Sequence, residues 1–230
     1  MSRIYKVLSA LLSYPTAEIV EAAPAMRVAV RDAAELPSHG RRALLTFIDE
    51  LAAGDLIDMQ ERYVMLFDRT RSLSLHLFEH VWGESRDRGQ AMVDLGLLYE
   101  RHGLELSARE LPDYLPLFLE FLSTLPADEA RALMAEPVDV LATLHQRHRK
   151  RGTVYAPVFG VLEKLAATAP NELVVAELLS QPEDDPDDLE ALDEIWEEEA
   201  VQFGPDSAGQ GIENRGPACG GGLPDGNPVN

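Results

Sequence analysis

Cysteine is almost absent from this chain of 230 residues: the single one, Cys219, sits in a Gly/Pro-rich C-terminal stretch. Disulfides within the chain are therefore excluded, and so are Cys-rich zinc or iron–sulfur sites. No run of 18 apolar residues occurs, so no segment reads as a membrane span. The apolar opening, MSRIYKVLSALLSYP, is interrupted by Lys6 and lacks a small-residue cleavage site, unlike a signal peptide. The expected location is the cytoplasm. There is no Walker A loop, no G-x-G-x-x-G, no G-x-S-x-G and no kinase signature, which leaves nucleotide-binding and acyl-transfer chemistry without support. Runs of alternating β-branched residues are missing too, so no sheet is expected.

Positive charge is missing over one long interval. Between Lys164 and Arg215 there is no Lys or Arg, while 13 acids lie from Glu172 to Glu199. The first 170 residues hold 24 acids against 19 bases, so most of the net charge of -20 belongs to the C-terminal part. Such a surface repels nucleic acid and anionic membranes and attracts a basic peptide or protein.

What is present reads as helix. Ile4, Val7, Leu8, Leu11 and Leu12 repeat at i, i+3, i+4 spacing. Further helices are expected over 17–33 (disturbed at Pro24), 38–53, 55–68, 73–82, 86–102, 115–125, 127–150 (broken near Pro137) and 154–168, with Pro and Gly marking the breaks. Two of these, around 91–99 and 115–125, are apolar nearly all round and are expected to be buried. The result is an all-α fold: a single compact multi-helix domain over 1–170, an acidic helical extension over 171–203, and a disordered Gly/Pro-rich tail over 204–230. In the extension, Leu189, Leu192, Ile195 and Trp196 form a narrow apolar stripe on a highly charged helix.

Four stretches invite a chemical reading. HLFEH (76–80) matches the inverted zinc-protease pattern. On a helix, His76 and His80 would lie about 40° apart with Glu79 beside them, so two imidazoles could share one metal. A zinc peptidase would also need a third ligand, an open position and a cleft; the alternative is a plain polar helix face. GESRDRGQAM (83–92) offers Ser85 as an N-cap, then Arg86, Asp87 and Arg88 in the first turn, where cations oppose the helix dipole and so suit an ion pair or a ligand. ELPDYLPLFLEF (110–121) puts Pro116 at the first helical position and Asp113 at the positive helix end. HQRHRKRG (145–152) is a basic cluster closing a helix, suited to the C-terminal dipole or to holding the acidic segment.

Taken together, KVLSALLSYP (6–15), ERYVMLFDRTRSLSLHLFEHVWGESRDRGQAMVDL (61–95), LPDYLPLFLEFLS (111–123) and WEEEAVQF (196–203) resemble the respiratory nitrate reductase δ subunit, the molybdenum cofactor assembly chaperone branch of the redox-enzyme maturation chaperones. The resemblance covers about residues 4–203. It implies a non-catalytic, all-helical chaperone that binds the N-terminal segment of the apo catalytic α subunit. It implies support for molybdenum cofactor and iron–sulfur insertion before membrane docking, with no cofactor held stably and no place in the finished enzyme. The partners so implied are the apo α subunit, through a basic amphipathic N-terminus, and molybdenum cofactor biosynthesis proteins. Tyr63, Leu66 and Phe67 resemble a Y-x-x-L-F stretch, and Gly83–Glu84–Ser85 stands where relatives carry an aromatic-Glu-Ser motif. Glu110, Pro112, Asp113 and Tyr114 align with an E-P-x-D-H motif, with Leu111 inserted and Tyr114 in place of histidine.

A basic amphipathic helix calls for an apolar groove with an acidic rim. The residues expected to form it are Tyr63, Phe67, Glu79, His80, Glu84, Arg86, Arg88, Glu110, Pro112, Asp113, Tyr114 and Phe118, with Asp113, Glu84 and Glu79 on the rim and Tyr114, Phe118 and Phe67 at or under the floor. A generic helical peptide-binding adaptor is the other non-enzymatic reading.

Overall fold

A computed structural model describes residues 3–82, 86–106 and 110–181. Gly83, Glu84 and Ser85, the acidic stretch 183–203 and the tail 204–230 therefore lie outside the described residues. Twelve α-helices occur among the described residues: α1 Arg3–Leu12, α2 Ala17–Glu21, α3 Ala23–Asp32, α4 Ser38–Ala53, α5 Leu56–Tyr63, α6 Glu79–Trp82, α7 Arg86–Arg101, α8 Leu115–Thr124, α9 Ala127–Met134, α10 Val138–Lys150, α11 Ala156–Leu165 and α12 Glu172–Ser180. The fold is all-α.

Local chemistry sets the helix ends. Thr16, Asp55 and Asn171 cap α2, α5 and α12 by accepting backbone N–H bonds within the first turn. Pro24 does more than disturb the expected 17–33 helix; it stands in the first turn of a new one, α3. Gly103 and Gly152 adopt φ of 76° and 64°. Each lets the two following-turn bonds close, Leu104 N to Tyr99 O at one end and Thr153 N to His148 O at the other. This left-handed close suits glycine.

α8 is the central element. Leu115, Pro116, Phe118, Leu119, Phe121 and Leu122 are all buried, and α1 packs along it, with Ser9 Oγ donating to the Pro116 carbonyl at 2.7 Å. α10 and α11 pack together, α11 meets α4, and α12 lies on α10. The expectation for 115–125 holds; that for 91–99 does not. Among the described side chains of α7 only Tyr99 is buried, whereas Val93 and Leu97 are 56% and 42% exposed. Leu95 and Leu98 are partly buried against the core. The helix is peripheral, and its apolar residues are spread around it with only one edge facing inward.

The expected helix over 73–82 is also corrected. A π-type turn at Val64–Asp68 and a 3-10 turn at Arg71–Leu73 end the α5 region. The chain then runs extended through 74–76 and turns before the short α6. Leu75 and Leu77 are buried on either side of the half-buried His76, the alternation of a strand. His76 forms an isolated antiparallel bridge with Tyr114, through Leu115 N to Leu75 O at 2.9 Å and Leu77 N to Asp113 O at 3.1 Å.

Candidate functional site

That bridge puts Asp113 in an unexpected place. Its side chain is fully buried, at 0% exposure, and not on a rim. One carboxylate oxygen accepts the Phe78 N–H at 3.0 Å and the other meets His76 Nδ1 at 3.2 Å. The hydrogen bond to Asp113 holds the His76 imidazole above its ordinary pKa, with Asp113 and Glu79 charge adding to it against burial and Arg88. Asp113 thus clips the extended segment to the loop before α8 with three polar contacts, two from its side chain and one from its carbonyl.

The zinc geometry expected of HLFEH does not form. His76 lies in the extended segment and only Glu79 and His80 are helical, so the three do not share a helix face. His80 is buried, and its Nε2 donates to the Ser74 carbonyl at 2.8 Å. Burial pushes its pKa down, which keeps the ring neutral. Glu79 accepts from Arg88 at 3.2 Å. Among the described residues no group of three His, Cys, Asp or Glu could hold a metal.

Behind the clip lies a chain of aromatic hydroxyls. Tyr63 donates its only hydroxyl proton to the Leu12 carbonyl at 3.1 Å. The 2.9 Å contact between Tyr63 and Tyr114 is therefore donated by Tyr114. Burial raises the pKa of both phenols. Tyr99 donates to the Pro112 carbonyl at 2.7 Å. Phe67 sits deeper, with ring contacts to Tyr63 and Tyr155. These groups hold the two crossing segments in register; Tyr63, Phe67 and Tyr99 are buried and Tyr114 is half-buried.

An open cleft of about 480 Å³ lies next to the clip. Its apolar lining comes from Leu77, Phe78, Val81 and Trp82 on the 77–82 segment, Leu95, Phe118, Val140 and, on α12, Val174 and Leu178. Phe78 and Trp82 pack edge to face at 4.8 Å. Its charged lining is acidic: Glu136, Asp139 and Glu177. Among the described residues that line it there is neither Lys nor Arg, and His80, which also lines it, is held neutral by burial. Asp139 has a second task, accepting the Asn171 N–H that starts α12, at 2.6 Å.

Of the residues expected to form a groove, the structure brings His80 and Phe118 to the cleft. Tyr63, Phe67 and Asp113 are buried behind it, Pro112 and Tyr114 are half-buried, and Glu110 is exposed on the loop. Glu79 and Arg88 pair with each other. Glu84 and the side chain of Arg86 lie outside the described residues. Sequence reasoning missed Leu77, Phe78, Val81, Trp82, Glu136, Asp139, Val140 and the α12 wall. One signal was available: SLSLHL alternates at a period of two, which the leucines disguised as helix.

The comparisons bear on this same region. A family model described as nitrate reductase delta subunit matches residues 33–160, a span that holds the Asp113 clip and most of the cleft lining. The nitrate reductase molybdenum cofactor assembly chaperone NarJ of Escherichia coli K12 is 47% identical over 197 residues, covering 86% of this chain and 83% of that protein. The probable assembly chaperone NarW of the same organism is 41% identical over 206 residues, 90% of this chain and 86% of the relative. A probable NarJ of Bacillus subtilis is 30% identical over 158 residues, 69% and 85% of the two chains. With a family model matching more than half of its length and relatives this similar along most of theirs, the chain belongs to the nitrate reductase delta subunit family.

Proposed function

We propose that this protein is a dedicated assembly chaperone for a nitrate reductase. It has no catalytic step of its own. It holds the apo catalytic α subunit by a basic, amphipathic N-terminal segment while molybdenum cofactor and iron–sulfur centres are inserted, before membrane docking, and then leaves. It works in the cytoplasm, with molybdenum cofactor biosynthesis proteins as further partners; no described helix is long and apolar enough to cross a membrane.

The observation that carries this reading is the cleft: an apolar floor bounded by Glu136, Asp139 and Glu177, with no Lys or Arg among its described lining residues. A helix in that groove would bury its apolar face on Phe78, Trp82 and Phe118 and place lysines or arginines against the acids. The rim charges would set encounter rate and partner choice. His80 and Phe118 would meet the client directly. Tyr63, Phe67, Pro112, Asp113 and Tyr114 would act from behind by shaping the wall, and Glu79, Glu84, Arg86, Arg88 and Glu110 from the neighbouring segments.

The test uses the full chain and a peptide of the α subunit N-terminus, titrated by calorimetry. Val81 lines the cleft and is 55% exposed, so Val81→Asp tests the floor without emptying the core. It should weaken binding about tenfold or more, since the floor would gain an unpaired charge. Glu136→Gln with Glu177→Gln should weaken it about three- to tenfold and flatten its salt dependence. Unchanged affinity in both variants would remove the cleft as the site. Failure to co-purify with apo α subunit from cells would remove the reading itself, and capture of unrelated clients would favour a generic adaptor.

A further inference from the structure

Another groove, which shares no lining residue with the cleft, runs between α1 and α3 and holds about 650 Å³. α1 contributes Arg3, Lys6, Val7 and Ala10, the i, i+3, i+4 and i+7 positions of one helix face. α3 and the residue before it contribute Ala22, Ala25, Met26 and Ala29 at the same spacing. Each wall is thus about 10 Å long, or two helical turns. Val7 and Met26 are buried and form the floor, while Val28 stands at the edge, 51% exposed. The alanines keep the walls low, so the backbone of another helix can come close.

Arg3 and Lys6 give this groove its charge. Both are exposed, and neither has a hydrogen-bond or ion-pair partner among the described residues. They fall at the start of α1, where the helix dipole disfavours cations. Helix stability alone therefore argues against placing them there. The one acid among the described lining residues, Glu18, is engaged locally: its own backbone N–H and the Thr16 hydroxyl hold its pKa below the ordinary value. The groove is thus apolar and positive in a chain of net charge -20, the reverse of the acidic cleft.

We propose that the α1–α3 groove is a second docking surface, for an amphipathic helix of a partner protein whose apolar stripe is flanked by Asp or Glu. Charge complementarity selects this occupant. Two turns of such a helix would set their apolar side chains on Val7, Met26 and Val28 and bring carboxylates to Arg3 and Lys6. The basic segment proposed for the cleft is repelled here, so the two surfaces sort partners by sign and do not compete. An anionic membrane would also meet Arg3 and Lys6, but the net charge of the chain opposes that approach.

The test titrates the full-length protein with a synthetic helix-forming peptide that carries Leu at i, i+3, i+4 and i+7 and Glu on either side of that stripe. Binding should saturate, and carbodiimide, which joins an amine to a carboxylate in direct contact, should link Lys6 to the peptide. Arg3→Glu with Lys6→Glu should weaken binding about tenfold at low salt and by less as salt rises. The same pair should not lower Tm, because acids suit the start of a helix. Val28→Asp should weaken binding about tenfold by placing an unpaired charge against the stripe. Val81→Asp, in the cleft, should leave it unchanged, which separates this surface from the client site. No saturable binding, affinity unmoved by both groove variants, equal loss in Val81→Asp, or a Tm lowered by the charge reversal would each overturn the proposal. So would carbodiimide links from Lys6 only to acids of the chain itself, or phosphatidylserine vesicles that bind the parent but not the Arg3→Glu, Lys6→Glu protein.

Discussion

Replacing Asp113 tests the clip that positions the cleft wall. Asp113→Ala removes the acceptor of a partly buried backbone N–H, that of Phe78, and the partner of His76. Leaving a buried donor unsatisfied costs about 1–3 kcal/mol, and a hydrogen bond to a charged group is worth about 1.5–3 kcal/mol. The His76 side chain is 30% exposed, so solvent screens its share and the lower part of that range applies. The expected loss is about 3 kcal/mol, a large fraction of a typical folding free energy, or roughly 6–12 °C in Tm for a domain of this size. Asp113→Asn keeps an acceptor for Phe78 but gives up the charge, and should cost about half as much.

The two variants also differ from the parent in pH dependence. The folded state raises the His76 pKa, mainly through Asp113. Stability from this pair is then fully present below the unfolded-state value near 6.5 and is lost as pH rises through the folded value. Urea midpoints measured from pH 5 to 9 should show the parent's advantage over Asp113→Asn shrinking across that window. The contribution of His148 is common to both proteins and cancels in the difference, whereas Asp113 also raises the His80 pKa, so losing its charge shifts the difference in the same direction. A loss below about 1 kcal/mol in Asp113→Ala, equal effects of Ala and Asn, or a parent–Asn difference that does not change with pH would refute the clip.

Two further substitutions probe packing and burial. A Cβ on Gly40 would lie 2.8 Å from Val161 Cγ2, where α4 meets α11, while one on Gly89 would meet nothing within 4 Å. Gly40→Ala should therefore destabilise by about 1–3 kcal/mol, and Gly89→Ala should stabilise by about 0.5–1 kcal/mol through helix propensity; denaturation midpoints moving the same way would contradict the packing. His148 is buried and stacked on Phe159 at 4.7 Å, and burial, aided by Arg151 and His145, lowers its pKa to about 3. The unfolded chain takes up this proton first, so stability should fall as pH drops below about 6.5, by up to about 1.4 kcal/mol per pH unit from this group. In His148→Leu the acid slope of the urea midpoint should be shallower; an unchanged slope would show that the ring is not held neutral.

The sequence by itself determined the helical class, the breaks at Pro and Gly, the burial of 115–125 and the family resemblance. Each of these rests on local period or punctuation: α8 is apolar on nearly every face, so any neighbour would bury it, and Gly103 and Gly152 end their helices by backbone conformation alone. The cleft was decided by tertiary structure. Leu75 and Leu77 carry a residue type that favours helices, and a non-helical path prevails because the loop before α8 supplies backbone partners across the chain. The same crossing buries Asp113, which its position before α8 and its charge suggested for a rim. The wall of Val174, Glu177 and Leu178 meets Phe78 and Phe118 only because Asn171 and Leu178 are tied to opposite ends of α10. Contacts between segments about 30 to 100 residues apart leave no period in the sequence, and so the site's residues could be read singly but not assembled.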